Sequence, residues 1–226
     1  MTTAESNAPR RAATLPINEL YASIQGESTY AGRPCSFVRL TGCPLRCAWC
    51  DSEFSFAGGR GMTIDAIVDE VARLGLPLVE VTGGEPLAHP GCAELLTRLC
   101  DANFTVLLET SGAFDVSPVD PRVIKILDIK CPGSGMADRN TWENLGRLSP
   151  ADEIKFVLAD RADYEWARHI IERNPVLRDG RPVLFSPVHG QLEPGELGDW
   201  IVADRLPVRL QIQLHKYVWP NRNRLV

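Results

Sequence analysis

The chain has 226 residues, of which 44% are hydrophobic and 23% charged, a length and balance that suit one domain with a buried core and leave a second little room. Its net charge of −5 is spread along the sequence without a basic tract, which argues against a nucleic-acid partner and for small molecules. Neither an apolar run long enough to span a membrane nor a signal-peptide pattern is present, so a cytoplasmic protein with no membrane partner is expected.

Residues 1–14 mix small, polar and Arg residues without apolar periodicity and read as a disordered leader ahead of a single domain over 15–226. From Leu15 onward strand-like and helix-like segments alternate. Ser36–Leu40 is a short apolar strand that feeds into a cysteine cluster. Ile64, Ile67, Val68, Val71 and Leu74 recur at helical spacing, and Leu78–Val81 is the strand that follows. Leu95, Leu96 and Leu99 mark the next helix and Phe104–Leu108 the next strand. Ile124–Ile129, Glu153–Leu158 and Val183–Phe185 are further strands, with a helix around Tyr164–Glu172, and Val208–Leu214 is the last. This alternation predicts an α/β fold with a largely parallel sheet. About six strand–helix units suit an incomplete TIM-type barrel better than the eight-unit form, which needs ~250 residues. Such folds place their sites at strand ends.

Seven cysteines without a secretory signal argue for reduced thiols rather than a disulfide framework. Three of them, Cys43, Cys47 and Cys50, fall within eight residues. Three thiolates on one tight loop suit an iron–sulfur cubane with one iron left open, because a fully ligated cluster normally takes four cysteines. A zinc site would need a fourth ligand such as Cys35, Cys92 or Cys131, and zinc cysteines more often come as two separated pairs. A second motif, Thr82-Gly83-Gly84-Glu85-Pro86, ends the strand after the cluster loop. Its glycines permit close backbone approach and Glu85 offers an anionic acceptor.

The Cys-x3-Cys-x2-Cys pattern with Trp49 before its last cysteine, together with the Gly-Gly-Glu segment, resembles the radical S-adenosylmethionine superfamily. The resemblance implies a 4Fe–4S cluster on Cys43, Cys47 and Cys50, and S-adenosylmethionine on the open iron, with Glu85 toward its amino group. It also implies an electron donor such as flavodoxin or ferredoxin. Trp49, Cys50 and Asp51 would flank the cofactor's adenine or ribose, with Gly84, Ser111 and Lys130 completing its site.

Further segments, among them Ser23-Ile24-Gln25-Gly26-Glu27-Ser28, Phe37-Val38-Arg39-Leu40, Cys50-Asp51-Ser52, Glu109-Thr110-Ser111-Gly112, Ser186-Pro187-Val188-His189-Gly190 and Gln213-Leu214-His215-Lys216, are together similar to the 7-carboxy-7-deazaguanine synthase family. That family contracts the ring of 6-carboxytetrahydropterin in deazapurine biosynthesis. The resemblance implies that Ile24, Gln25, Gly26 and Glu27 read the aminopyrimidinone edge of the pterin, that Thr82 faces the substrate, and that Arg39 takes its carboxylate. It also implies that Ser52 ligates a Mg²⁺ touching the substrate, although Ser52 could instead cap the following turn. No side chain is assigned as a catalytic base. His169 reads as structural, and His189 and His215 as shaping the pocket. A homodimer is expected from the family. The rival enzyme is a glycyl-radical activase, which shares the cysteine motif but has no need of Gln25, Glu27 and Arg39; the non-enzymatic rival is a three-cysteine electron carrier, in which the Gly-Gly-Glu segment would have no purpose.

Overall fold

The computed structural model describes residues 14–222 and 224–226. Apart from Thr14, the expected leader lies outside the described residues, and Thr14 already opens the first strand, β1 (Thr14–Ile24). The chain continues through β2 (Pro34–Leu40), β3 (Arg60–Thr63), α1 (Ile64–Leu74), β4 (Leu78–Gly83), α2 (Cys92–Asp101), β5 (Thr105–Thr110), β6 (Ile124–Ile129) and β7 (Glu153–Leu158). It ends with α3 (Arg161–Arg173), β8 (Val183–Pro187), α4 (Pro194–Asp204), β9 (Arg209–Leu210) and α5 (Leu214–Val218). The strands form one sheet in the order β3-β1-β2-β4-β5-β6-β7-β8-β9. β1 runs antiparallel to β2 and β3, and every pairing from β2 to β9 is parallel. The sheet is open between β3 and β9, so the expected incomplete barrel is the architecture found.

Period-two alternation explains both faces of this sheet. Val38, Leu40, Val79, Val81, Val106 and Leu108 point outward, into a core with Ile64, Ile67 and Val71 of α1 and Leu95, Leu96 and Leu99 of α2. Leu127, Ile129, Ile154, Phe156 and Leu158 do the same against Tyr164, Ala167 and Ile171 of α3 and Leu197 and Ile201 of α4. Along β2 to β6 the alternate set points inward. Its lower layer is an apolar floor of Tyr21, Cys35, Phe37, Leu78, Leu107 and Ile126. Above that floor the inward positions carry charge: Arg39, Glu80, Glu109, Asp128 and Lys155 line a cavity.

The helices start and stop where their sequence says. Thr63 caps α1 by accepting from the Ala66 amide at 3.2 Å, and Gly75 ends it at φ 70°. Asp160 caps α3 through the Asp163 amide.

Two expectations fail. Only four crossovers between parallel strands contain an α-helix: β5 to β6 is a turn-rich loop, and β6 to β7 is a series of short 3₁₀ turns. The sequence there carries Gly112, Pro118 and Pro121, and the buried Asn144 amide takes over the bonding that a helix ladder would provide. It accepts from the Val116 amide at 3.2 Å and donates to the Gly112 and Phe114 carbonyls at 3.2 and 2.8 Å. The second failure is the last strand, expected over 208–214, which ends at Leu210. The Gln211 amide still donates to the Phe185 carbonyl of β8 at 2.9 Å, and beyond the strand the Gln211 and Gln213 side chains bond the Ser28 amide and the Glu27 carboxylate.

At the base of the sheet the buried Asp152 carboxylate pairs with Lys125 Nζ at 3.0 Å and accepts from the Lys125 and Ser149 amides. Asp152→Ala should therefore destabilise the fold by about 3–5 kcal/mol, since it strands a buried ammonium. Urea unfolding checks this, and a loss under about 1 kcal/mol would show that the pair is solvated.

Candidate active site

The cluster loop begins where β2 ends. Gly42 turns it at φ 100°, and the Gly42 and Ala48 amides are tied to the Ser55 and Ser134 carbonyls at 2.7 and 3.0 Å. The Gly-Gly-Glu segment lies directly against it. The Gly84 amide donates to the Leu40 carbonyl at 3.1 Å and the Glu85 amide to the Gly42 carbonyl at 2.8 Å. A Cβ on Gly84 would sit 2.1 Å from the Gly42 carbonyl oxygen, and Gly83 holds φ 135°. The first close approach these glycines permit is thus between two protein loops.

Cys43, Cys47 and Cys50 are free, half-buried and face one cavity. Cys35, Cys92, Cys100 and Cys131 are buried in the apolar clusters. Burial pushes the three loop thiols up, and their mutual repulsion pushes Cys43 and Cys50 further, so a cationic metal group is what would hold all three as thiolates. Among the described residues no three His, Cys, Asp or Glu side chains converge as they would around a single ion. Three thiols spread along a loop fit a polynuclear cluster.

Glu85 departs from its expected role. It is fully buried, is not part of the cavity wall, and both its oxygens are engaged by protein donors. Oε1 accepts from the Leu87 amide and Thr110 hydroxyl, each at 2.9 Å, and Oε2 from the Ser111 amide at 2.7 Å and the Ser111 hydroxyl. Glu85 ties the ends of β4 and β5 together, and it is Gly84 and Ser111 that reach the cavity. Lys130 also lines it, bonded to Asp128 at 2.9 Å. The other Asp128 oxygen is buried and has no hydrogen-bond partner among the described residues, which leaves an acceptor for a bound molecule.

The cavity measures about 940 Å³, room for two small molecules side by side. Its wall also holds Gln25, Gly26, Glu27, Arg39 and Thr82. Ile24, across from Pro34 at the end of β1, is not among the residues that line it. Arg39 is held by Glu19 at 3.1 Å and by the Tyr21 hydroxyl at 3.1 Å. Its Nε and Nη2 are thereby used, and Nη1 has no hydrogen-bond partner among the described residues. The guanidinium is pre-oriented with donors to spare for an anion.

Glu27 accepts from Lys155 at 2.8 Å, Gln213 at 2.9 Å and Gln211 at 3.2 Å. Burial alone would raise its carboxyl, but the Lys155 ammonium outweighs that and holds it below the usual range. Burial likewise raises Asp51, yet Lys216 at 3.2 Å, Gln213 and the Ser52 hydroxyl bring it well below. Ser52 makes no side-chain cap to the turn that follows it; its hydroxyl donates to Asp51 at 2.9 Å and lies on the cavity wall with Trp49.

Sequence reasoning missed Glu80, Glu109, Asp128 and Lys155 as wall residues. The available signal was a charged side chain at an inward position of an otherwise apolar buried strand. His215 lies beside Gly26, whose absent Cβ would meet its ring, and burial lowers its affinity for a proton. His189 also lines the cavity, whereas His169 is half-exposed on α3. The C-terminal segment closes one side: Arg224 bonds Glu19 at 2.7 Å, and the Tyr21 hydroxyl donates to the Val226 carbonyl at 3.0 Å.

The sequence pattern of the radical SAM superfamily matches residues 37–128. The 7-carboxy-7-deazaguanine synthase of Chlorobaculum tepidum is 49% identical over 211 residues, covering 92% of this chain and 95% of the relative. That of Koribacter versatilis is 46% identical over 219 residues, covering 91% and 97%. The crystal structure of QueE from Escherichia coli matches the fold with a TM-score of 0.74 at 24% identity, over 89% of this chain and 95% of that one. The open sheet, the cluster loop and the paired Gly-Gly-Glu loop thus belong to a radical SAM enzyme, and by its identity over most of its length the chain is a member of the 7-carboxy-7-deazaguanine synthase family.

Proposed function

We propose that the chain is a radical SAM lyase that contracts the ring of 6-carboxy-5,6,7,8-tetrahydropterin to 7-carboxy-7-deazaguanine with loss of ammonia, in queuosine and related 7-deazapurine biosynthesis. The observation that carries this reading is that one cavity is lined both by Cys43, Cys47 and Cys50 and by Gln25, Glu27, Arg39 and Glu109. When bound, the 4Fe–4S cluster and S-adenosylmethionine supply the radical that removes hydrogen from C6 of the pterin. Gly84, Ser111 and Lys130 position that cofactor, with Trp49 and Asp51 beside it. Arg39 anchors the substrate carboxylate through its unused donors, while Glu27 accepts from the N–H groups of the aminopyrimidinone edge. Thr82 and Gly26 close the pocket around the ring.

The hydroxyl of Ser52, beside the Asp51 carboxylate, offers a hard oxygen donor of the kind Mg²⁺ takes when it keeps most of its waters. A Mg²⁺ there would orient the substrate carboxylate. The reading extends to a cytoplasmic homodimer served by flavodoxin or ferredoxin. A glycyl-radical activase fits less well, because a cavity lined by so many fixed charges suits a polar heterocycle better than a protein loop. The deciding experiment is anaerobic reconstitution with iron and sulfide, reduction, and incubation with S-adenosylmethionine and the pterin. Mass spectrometry should find 7-carboxy-7-deazaguanine and ammonia; 5′-deoxyadenosine alone, with the pterin unchanged, would overturn the reading.

Replacing Cys43, Cys47 or Cys50 by Ala should abolish the iron-dependent visible absorption and all S-adenosylmethionine cleavage. The same change at Cys35, Cys92, Cys100 or Cys131 should leave the iron content intact, and iron and sulfide analysis would expose any fourth essential cysteine. Glu27→Gln and Arg39→Ala should retain the cluster but lower kcat/KM by roughly 2–5 kcal/mol, the cost of removing one partner from a desolvated charge pair. Unchanged kinetics in both would remove them from the substrate site. Ser52→Ala should blunt the Mg²⁺ stimulation of turnover while Ser52→Thr preserves it, and superimposable Mg²⁺ titrations for wild type and Ser52→Ala would exclude the hydroxyl as a ligand.

A further inference from the structure

Lys155, on β7, reaches into the cavity with its side chain 5% exposed and pairs with two carboxylates at once: Glu27 at 2.8 Å, and Glu109. Asp128 stands 3.7 Å away. The charged groups facing it are Glu27 from the turn after β1, Glu80 from β4, Glu109 from β5, Asp128 from β6 and Lys130 just after β6; β8 presents Ser186. Asp51 also acts on Glu27, and Glu27 in turn acts on His215.

Anions outnumber cations on this wall, and the geometry decides which anions are matched. Lys130 is committed to Asp128. Among the described residues Glu80 has no cation bonded to it; its partner is the Gln25 side-chain amide, and burial together with the Glu109 and Glu27 charges pushes its carboxyl well above the ordinary range. The Gln25 oxygen in turn accepts from the Glu27 amide at 3.0 Å. Glu27 and Glu109 are both paired with Lys155; its ammonium holds Glu27 below the usual carboxylate range, and at Glu109 it opposes burial and the Glu27 charge, which together still raise that carboxyl.

We propose that Lys155 is a positioning residue for substrate recognition: by bonding Glu27 and Glu109 together it fixes both as anionic acceptors on one wall, selecting a ligand whose edge presents several N–H donors. The aminopyrimidinone edge of a pterin has that character, and the inference rests on the substrate reading given above. Without the ammonium, desolvation is unopposed, both carboxyl groups take up protons at higher pH, and acceptors become donors that clash with the N–H edge. The defect is therefore largest at low pH and shrinks as pH rises and the carboxylates ionise.

The test is the dissociation constant of 6-carboxytetrahydropterin for the cluster-loaded, unreduced protein, measured anaerobically by calorimetry across pH. Lys155→Met should bind about tenfold or more weakly at neutral pH, with the gap closing as pH rises, and Lys155→Arg should restore affinity to within a few fold. Wild-type affinity in Lys155→Met, or a deficit of equal size at every pH, would overturn the proposal. Absence of pterin binding by the wild type would sink the substrate reading and this inference with it, before any variant is compared. Should Lys155→Met fail to fold, infrared spectra of the wild type decide, with bands assigned through Glu27→Gln and Glu109→Gln. Ionised Glu27 and Glu109 at neutral pH are expected, and a protonated-carboxyl band from either would overturn the proposal.

Discussion

The pairing of Lys155 with Glu27 and Glu109 is the interaction on which the pocket depends. A parallel sheet covered by helices on its outer face leaves an inner face that is also shielded from water, and charge placed there carries a desolvation cost that only partners offset. The molecule resolves this by layers. Phe37, Leu107 and Ile126 fill the lower inner positions with carbon, and the residues one pleat higher form a mutually bonded polar wall. Register enforces the arrangement: Asp128 lies directly across from Lys155, and Arg39 across from Thr82. A side chain two positions along a strand thus separates apolar floor from reactive cavity.

The cluster loop draws its shape from neighbouring strand ends. β2 delivers it, β4 sends back the Gly-Gly-Glu segment, and the hydrogen bonds from Gly84 to Leu40 and from Glu85 to Gly42 lock the two together. Glu85 extends the lock to β5 through Thr110 and Ser111. A fully buried carboxylate with four donors keeps the loops in one relative position. The three thiols, which repel one another as thiolates, are accordingly fixed by the polypeptide rather than by their own attraction. Function at the ends of strands is where barrel-type folds build sites, and here three successive parallel strands, β2, β4 and β5, are bound by backbone and carboxylate bonds before any cofactor enters.

Much of this was legible in the sequence. Ile64–Leu74, Ile124–Ile129 and Glu153–Leu158 agree with the elements found, because their apolar periodicity is carried by residues that are in fact buried. The cysteine motif was legible because three thiols in eight residues have few uses. Glu85 was misread because its role depends on Thr110 and Ser111, which lie 25 and 26 residues away. Ile24 was included in the substrate site through its neighbours Gln25 and Glu27, and it is they, not Ile24, that line the cavity. Lys155 and Glu80 were passed over for a related reason. Inside an apolar strand a single charged residue has meaning only once the register shows which charges it meets. The missing helices between β5 and β7 reflect Asn144, one side chain that satisfies backbone groups from Gly112 to Val116 and so removes the need for a helix.

One cavity holds both the cluster loop and the charged wall, and on the proposed function substrate and cofactor meet there. Transfer of label measures that proximity directly. With 6-carboxytetrahydropterin deuterated at C6, the reduced and reconstituted protein should yield 7-carboxy-7-deazaguanine, and deuterium should appear in the S-adenosylmethionine recovered after turnover, because hydrogen from C6 passes to the cofactor and back. Product formation with no deuterium in the recovered cofactor would contradict a shared cavity in which substrate and cofactor meet.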